Sequence, residues 1–323
     1  MNILVCGGAG YIGAHMCKVL SENGHRVTVF DNLSTGHAEA VRWGRFVRGD
    51  LLTLADLEQT FSGESYSAVM HFCARSLVGE SMTRPDLYYQ NNVTGTLNLL
   101  NAMVRHNVGH FIFSSTAAVY GAPQYTPIDE QHPTNPINPY GRSKLMIDSL
   151  LADYDRAFGL RSVSLRYFNA AGADPDGSLG EEHNPETHLI PNILNSVRRP
   201  GEHPLQIYGN TYATPDGTCI RDYVHVIDLC SAHLAAMDYL HAGGASSVFN
   251  LGSGRGSSVL EVVHCAEQVT GQRIPYTIAD PRPGDPPILV ASADHASRVL
   301  SWSPRYMELS AIVETAWRWH VRH

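Results

Sequence analysis

Several features that would narrow the function at once are missing from this chain of 323 residues. No run of about 18 consecutive apolar residues occurs, so a membrane-spanning helix is not expected. Lys and Arg form no block, and the formal net charge is −8 with a pI near 6.1. Nucleic acid and anionic membrane are therefore poor partners, while a small anionic ligand held by a few local arginines remains open. The six cysteines (Cys6, Cys17, Cys73, Cys219, Cys230 and Cys265) form no CxxC pair and read as free thiols of a reducing compartment. The 17 histidines are scattered, with no HxxxH on a helix and no Cys/His quartet, so no catalytic metal is expected. No basic segment precedes MNILVCGG, which reads as a first strand and not a secretory signal; the expected location is cytoplasmic. No internal repeat or low-complexity tract is apparent.

What is present is the composition of an ordinary globular protein, 43% hydrophobic and 17% charged. The length allows a large core in one or two domains. In the first half, strand-like and helix-like stretches alternate. Strands are expected at 2–6, up to Phe30, and at 45–50, 66–74, 110–116 and 162–169. Between them, helix patterns stop at Gly24, Gly63 and Gly159, and a long amphipathic one runs from Pro85 to Asn107. This alternation predicts an α/β fold, a Rossmann-type doubly wound parallel sheet whose ligands sit at the carboxyl ends of the strands. Beyond residue 170 the chain turns loop-rich, interrupted by the helix pattern VHVIDLCSAHLAAMDYLHAGG, the strand SVFNLGSG and a helix opening at Ser258 with capping-box spacing. The expected division is a cofactor domain over 1–168, with parts of about 222–250 folding back onto it. A smaller C-terminal α/β substrate lobe would use 169–221 and 251–323.

GGAGYIG sets Gly7, Gly10 and Gly13 between a strand and a helix, the context in which such glycines let a backbone approach a pyrophosphate. Tyr11 and Ile12 lie in the same turn. The second strand ends in Asp31-Asn32, where a carboxylate accepts bonds from ribose hydroxyls and repels a 2′-phosphate; this favours NAD over NADP. Asp50, closing the third strand, is placed to reach the adenine amino group.

The stretch SSTAAVYG places Ser114, Ser115 and Thr116 at a strand end, and YGRSK places Tyr140 and Lys144 one helical turn apart on one face. A phenol with a pKa near 10 is protonated at neutral pH. A neighbouring ammonium and an oxidised nicotinamide would favour the phenolate, and lowering the pKa by about three units takes roughly 4 kcal/mol. Tyr140 would then take the proton of a substrate hydroxyl while hydride leaves.

GGAGYIG, DN, SST and YxxxK in this order resemble the extended short-chain dehydrogenase/reductases. The further stretches HFCARSLVGES, YYQNNVTGTLNLL, LRYFNAAG, HLIP, IRDYVHVIDL and RPGD resemble the UDP-glucose 4-epimerase family from end to end. That resemblance implies NAD-dependent interconversion of UDP-glucose and UDP-galactose through a 4-keto sugar. Tyr140 is the implied base, Lys144 its orienter and Thr116 the hydroxyl at the sugar 4-oxygen. It implies cofactor contacts from Leu51, Phe72, Asn91, Ser114 and Phe168, and nucleotide-sugar contacts from Asn169, Leu189, Arg221, Arg282, Asp285 and Leu289. A homodimer through helices near 85–107 and 140–158 is also implied.

Where related dehydratases carry an Asp-Glu pair, this chain has Ala117 and Ala118, which cannot move protons at C5 or C6. A lysine that some relatives carry is here Ser76, beside Arg75. Leu289, smaller than Tyr and larger than Cys, leaves side activity on N-acetylated sugars open. Rival readings are a UDP-glucuronate epimerase, for which no cationic partner is apparent, a net dehydrogenase, and a non-catalytic NAD-binding scaffold.

Overall fold

The computed structural model describes residues 1–323 apart from 200, 202, 203, 283 and 284. The strands in chain order are β1 (Asn2–Cys6), β2 (Arg26–Asp31), β3 (Arg45–Arg48), β4 (Ala68–His71), β5 (His110–Thr116), β6 (Arg161–Tyr167), β7 (Asn169–Ala171), β8 (Leu205–Tyr208), β9 (Ile220–His225), β10 (Ser247–Leu251), β11 (Gly256–Ser258), β12 (Tyr276–Ala279) and β13 (Ile288–Leu289). Seven of them form one sheet in the order β3-β2-β1-β4-β5-β6-β10, with every pairing parallel. All five residues of β1 are buried, as a strand covered on both faces requires.

One face is closed by the helices Tyr11–Glu22 and Val226–His241, whose Met16, Leu20, Leu229 and Met237 pack with Phe249 of β10. The other is closed by Leu54–Gly63, Gly95–Arg105 and Pro139–Phe158, through Leu57, Phe61, Leu99, Met103, Ile147 and Leu151. The fold is thus the doubly wound α/β architecture that the alternation predicts. Helix 139–158 ends at Gly159 with φ +68°, the left-handed conformation that glycine adopts freely. At Ser258 both halves of the capping box form: its hydroxyl accepts from the Glu261 N–H at 3.0 Å, and Glu261 accepts from the Ser258 N–H at 2.7 Å.

The helix expected over 85–107 is interrupted. Its first turn, Pro85–Tyr88, passes into a π-helical stretch at Tyr89–Thr94 before α-helix resumes at Gly95–Arg105. The widened turn seats Asn92 where its amide grips the Arg75 backbone, accepting from N–H at 2.9 Å and donating to C=O at 3.0 Å, while also donating to the Ser143 hydroxyl at 3.0 Å.

The rest of the chain builds a second core. Helices Leu189–Arg198, Val259–Thr270 and Leu309–Arg322 pack Ile193, Leu194, Val262, Val263, Ile312 and Val313 together. Beside them lie a sheet of β7, β9, β11 and β13 and the pair β8–β12. The segment 170–221 contains more regular structure than its loop-like composition suggests.

Candidate active site

The strands of the parallel sheet end at a common rim, and the order reverses at β1, which pairs with β2 on one side and β4 on the other. Such a switch point opens a crevice at the carboxyl ends of the strands. Gly7 follows β1 there with φ +83°, and a Cβ would lie 2.7 Å from the Cys73 nitrogen. A Cβ on Gly13 would lie 2.1 Å from the Gly7 oxygen. These two glycines answer to the chain's own packing. Gly10 does not: as N-cap of helix 11–22 its φ is −84°, and a Cβ would meet nothing nearer than the Gly7 oxygen at 3.5 Å. That helix start has no side-chain cap, so its N–H groups face an open approach, as a pyrophosphate needs.

Asp31 is buried beside this turn; its carboxylate accepts from the Ala9 N–H at 3.0 Å and the Leu33 N–H at 2.8 Å, tying the glycine turn to the end of β2. Asn32 donates to Asp50 at 2.9 Å, so the three predicted adenosine-side residues are contiguous. The Leu51 side chain is buried among Leu57 and Leu99, which leaves its backbone at the rim. Phe72 follows β4, with its N–H on the Cys6 oxygen at 2.8 Å and its ring 4.8 Å from that of His233. Ile12 packs on the core between sheet and helix, and the Tyr11 hydroxyl donates to the Gly172 oxygen at 2.6 Å. Asn91 lies in the π-helical turn and donates to Asn92 at 2.9 Å.

The chemical end is assembled by a close helix approach. Asn138 caps helix 139–158, accepting from the Gly141 N–H at 2.8 Å. A Cβ on Gly141 would lie 2.4 Å from the Ala118 oxygen, so glycine alone lets the helix start rest on the Ala117–Val119 turn. The approach brings the Tyr140 phenol beside the hydroxyl of Thr116, the last residue of β5. Lys144, buried one turn on, donates to the Ser114 carbonyl at 2.7 Å and stands 4.7 Å from the Phe113 ring.

The electrostatics differ from the expectation. Burial raises the Tyr140 phenol above its ordinary value, opposed by the neighbouring Thr116 hydroxyl, and the Lys144 charge is not among the groups that move it. The reason is that Lys144 is itself desolvated. Burial brings its pKa down to about 7, against the pull of Asp148 and Cys73, and its nitrogen is aimed at a backbone carbonyl. Within the chain alone, the lysine does not create a phenolate.

Ser114 bonds His233 Nε2 at 3.1 Å. Because His233 Nδ1 must donate to the Leu229 carbonyl at 2.8 Å, Nε2 is the acceptor of the Ser114 hydroxyl. Burial lowers this imidazole to about 4 and keeps it neutral. The Ser115 hydroxyl is buried with no partner among the described residues.

On the second lobe, Arg221 of β9 donates to the Pro286 oxygen at 2.8 Å and lies 3.4 Å from the Asp285 carboxylate. Leu289 of β13 pairs with Arg221 in register and packs with Phe168 on the cluster of Val119, Tyr120 and Ile128. This contact joins the second lobe to the turn after Thr116. The Arg282 guanidinium lies 4.0 Å from the Tyr208 ring centre; residues 283 and 284 of the RPGD stretch lie outside the described residues. Asn169 opens β7 opposite Tyr223, and Leu189 opens its helix.

Sequence reasoning missed three supports. Asn92 joins the Arg75 backbone to Ser143, which itself donates to the Tyr140 carbonyl at 2.7 Å. His233 fixes Ser114. Asp222 is buried and accepts from Ser253 N–H and Oγ at 2.7 Å each and from the Gly254 and Ala291 N–H groups at 3.1 Å each, binding two loops to β9. Its signal, an acid inside the apolar run IRDYVHVIDL, was available.

A glycine-turn crevice at a sheet reversal, with a tyrosine, a hydroxyl and a lysine on the same rim, defines a dinucleotide-binding enzyme of the Rossmann class. Residues 3–252 match the NAD dependent epimerase/dehydratase family. The chain is 50% identical to a UDP-glucose 4-epimerase of Lacticaseibacillus casei, over 100% of this chain and 98% of that one. A UDP-glucose 4-epimerase from Brucella ovis in complex with NAD superposes with a TM-score of 0.94 at 49% identity, covering 98% of this chain and 97% of that one. One from Bifidobacterium longum in complex with NAD+ and UDP gives 0.93 at 37% identity, covering 100% and 98%. The chain belongs to the NAD dependent epimerase/dehydratase family, and the open face at Gly10 and the buried Asp31 fit the cofactor named in that description.

Proposed function

We propose that the chain interconverts UDP-glucose and UDP-galactose by reversible oxidation at C4 of the hexose. The observation that carries the reading is the placement of the Tyr140 phenol beside the Thr116 hydroxyl at the end of β5, with Ala117 and Ala118 following instead of acids. When bound, NAD supplies the acceptor and donor of hydride at C4 and a positive charge that favours the Tyr140 phenolate. Tyr140 takes the proton of the C4 hydroxyl, with Thr116 passing it, and returns it after the keto-sugar has turned about its pyrophosphate linkage. Lys144 holds the rim end of β5 in place through Ser114. With only methyl groups near C5 and C6, elimination has no acid and re-reduction is the open course. Arg221 and Arg282 pair with the pyrophosphate and Asp285 with ribose hydroxyls, while Asn169 and Leu189 border the nucleotide. Leu289, packed with Phe168 against Val119 and Tyr120, borders the sugar and leaves room for some turnover of N-acetylated sugars.

The cofactor domain is read as 1–168 with β10 and helix 226–241, and the substrate lobe as most of the remainder. Met146 and Phe158, exposed on helix 139–158, suit a homodimer face. Among the described residues no helix is long and apolar enough to cross a membrane; a cytoplasmic location is part of the proposal. The test is to incubate purified protein, with no added cofactor, with UDP-galactose or UDP-glucose and to quantify both epimers by NMR. Equilibration from either side supports the reading. Steady growth of reduced-nicotinamide absorbance, or no conversion, refutes it.

A further inference from the structure

The segment Glu181–His188, which reads as loop, gathers two carboxylates and two imidazoles outside the chemical site. One donor atom from each of Glu181, His183, Glu186 and His188 lies within 4.8 Å of every other. The pairwise separations approach those of a coordination shell. His188 Nδ1 is 2.7 Å from Glu181 Oε1 and 3.5 Å from Glu186 Oε1. His183 Nδ1 is 3.6 Å from Glu181 Oε1 and 3.4 Å from Glu186 Oε2. Ligands about 2.0 Å from a tetrahedral zinc ion stand roughly 3.3 Å apart, so little adjustment is needed.

Two further features suit a metal. His183 Nδ1 is shielded from solvent yet makes no hydrogen bond, and it faces the two carboxylates. Glu186 is oriented by the N–H groups of Thr187 and His188, both 2.8 Å from Oε1, the outer-shell support that ligating carboxylates need. Glu181 is buried, whereas His188 is 46% exposed in its side chain, which gives an ion a way in.

We propose that Glu181, His183, Glu186 and His188 form a structural binding site for a divalent transition-metal ion, zinc being the best match. Two imidazoles and two carboxylates suit such ions. The site lies where it fastens two functional regions. The His183 ring meets the Tyr11 ring edge-on at 6.4 Å, and Tyr11 belongs to the glycine turn. His188 is the residue from which helix 189–198 of the second core departs. A metal there rivets the start of that helix to the cofactor turn without touching the reacting atoms.

The experiment uses tag-free protein with its cofactor retained, washed with EDTA and titrated calorimetrically with zinc sulfate. One ion per chain with submicromolar affinity is expected. His183→Ala and His188→Gln should each weaken binding by at least the roughly 10–100-fold that loss of an outer-shell partner costs. Cobalt(II) provides a second readout: a tetrahedral visible spectrum in the parent that His188→Gln abolishes. His188 is the most exposed of the four, so its variant tests the site without disturbing the buried carboxylates. Absence of saturable binding overturns the proposal and leaves a quartet of imidazolium–carboxylate pairs. So does zinc binding that both variants retain unchanged, which would place the ion elsewhere.

Discussion

Lys144 is a buried cation whose cost to the fold can be measured. Its pKa falls from 10.5 to about 7, chiefly through burial. Between those values the unfolded chain binds more protons than the folded one, so the stability of the folded state rises with pH across that window. Below pH 7 the penalty for burying the charge is fully present, and the gap corresponds to roughly 5 kcal/mol. Lys144→Met removes the penalty but strips the Ser114 carbonyl of the donor 2.7 Å away, a loss of about 1–3 kcal/mol. The nucleotide-free variant should therefore be more stable than the parent by about 2 kcal/mol at pH 6. That advantage should shrink above pH 7, by about 1.4 kcal/mol per pH unit, and reverse at about pH 8.5, even though catalysis is lost. Urea denaturation of both proteins at several pH values between 6 and 10 reads this directly. A stability difference independent of pH would mean that Lys144 titrates as an ordinary lysine, and the reasoning about its burial would fail.

Other consequences can be checked more briefly. Tyr140→Phe should slow epimer equilibration by about 10²–10⁴-fold while retaining bound nucleotide through gel filtration, because only the proton acceptor is removed. Gly13→Ala forces a Cβ to within 2.1 Å of the Gly7 oxygen and should lower the melting temperature as well as NAD retention; Gly10→Ala, whose Cβ meets nothing within 3.4 Å, should weaken NAD retention with the melting temperature nearly unchanged. Leu289→Tyr should lower turnover of UDP-N-acetylglucosamine more than that of UDP-glucose, measured as the ratio of the two kcat/KM values.

The sequence was most informative where local chemistry and burial agree. NILVC is apolar throughout because β1 is covered on both faces, and Gly159 and Ser258 mark helix ends by conformation and by capping. The glycine turn, Asp31, Thr116, Tyr140 and Lys144 were legible for the same reason, each standing where a periodic segment stops. The second lobe was not, because β7, β11 and β13 are only three, three and two residues long and take their identity from neighbours distant in sequence. Helix 189–198 did carry a signal, since Leu189, Ile190, Ile193, Leu194 and Val197 recur at helical spacing. The π-helical turn at 89–94 has no such period, and the side chain that accounts for it, Asn92, finds its long-range partners at 75 and 143. The desolvation of Lys144 has no signal in the YxxxK spacing, because the depth of its burial is a property of the assembled rim.

The last strand of the main sheet, β10, joins it only at residues 247–251, against β6, and helix 226–241 covers a face that β1, β5 and β6 share. On the ribosome, the first 168 residues thus emerge with one side of their sheet covered only by helix 11–22 and a strand edge open. Nascent chains must be shielded until some 80 further residues have left the exit tunnel, since β10 ends at Leu251. Splitting the gene at the apparent junction between the two lobes should yield an insoluble first half, rescued only when the second is co-expressed.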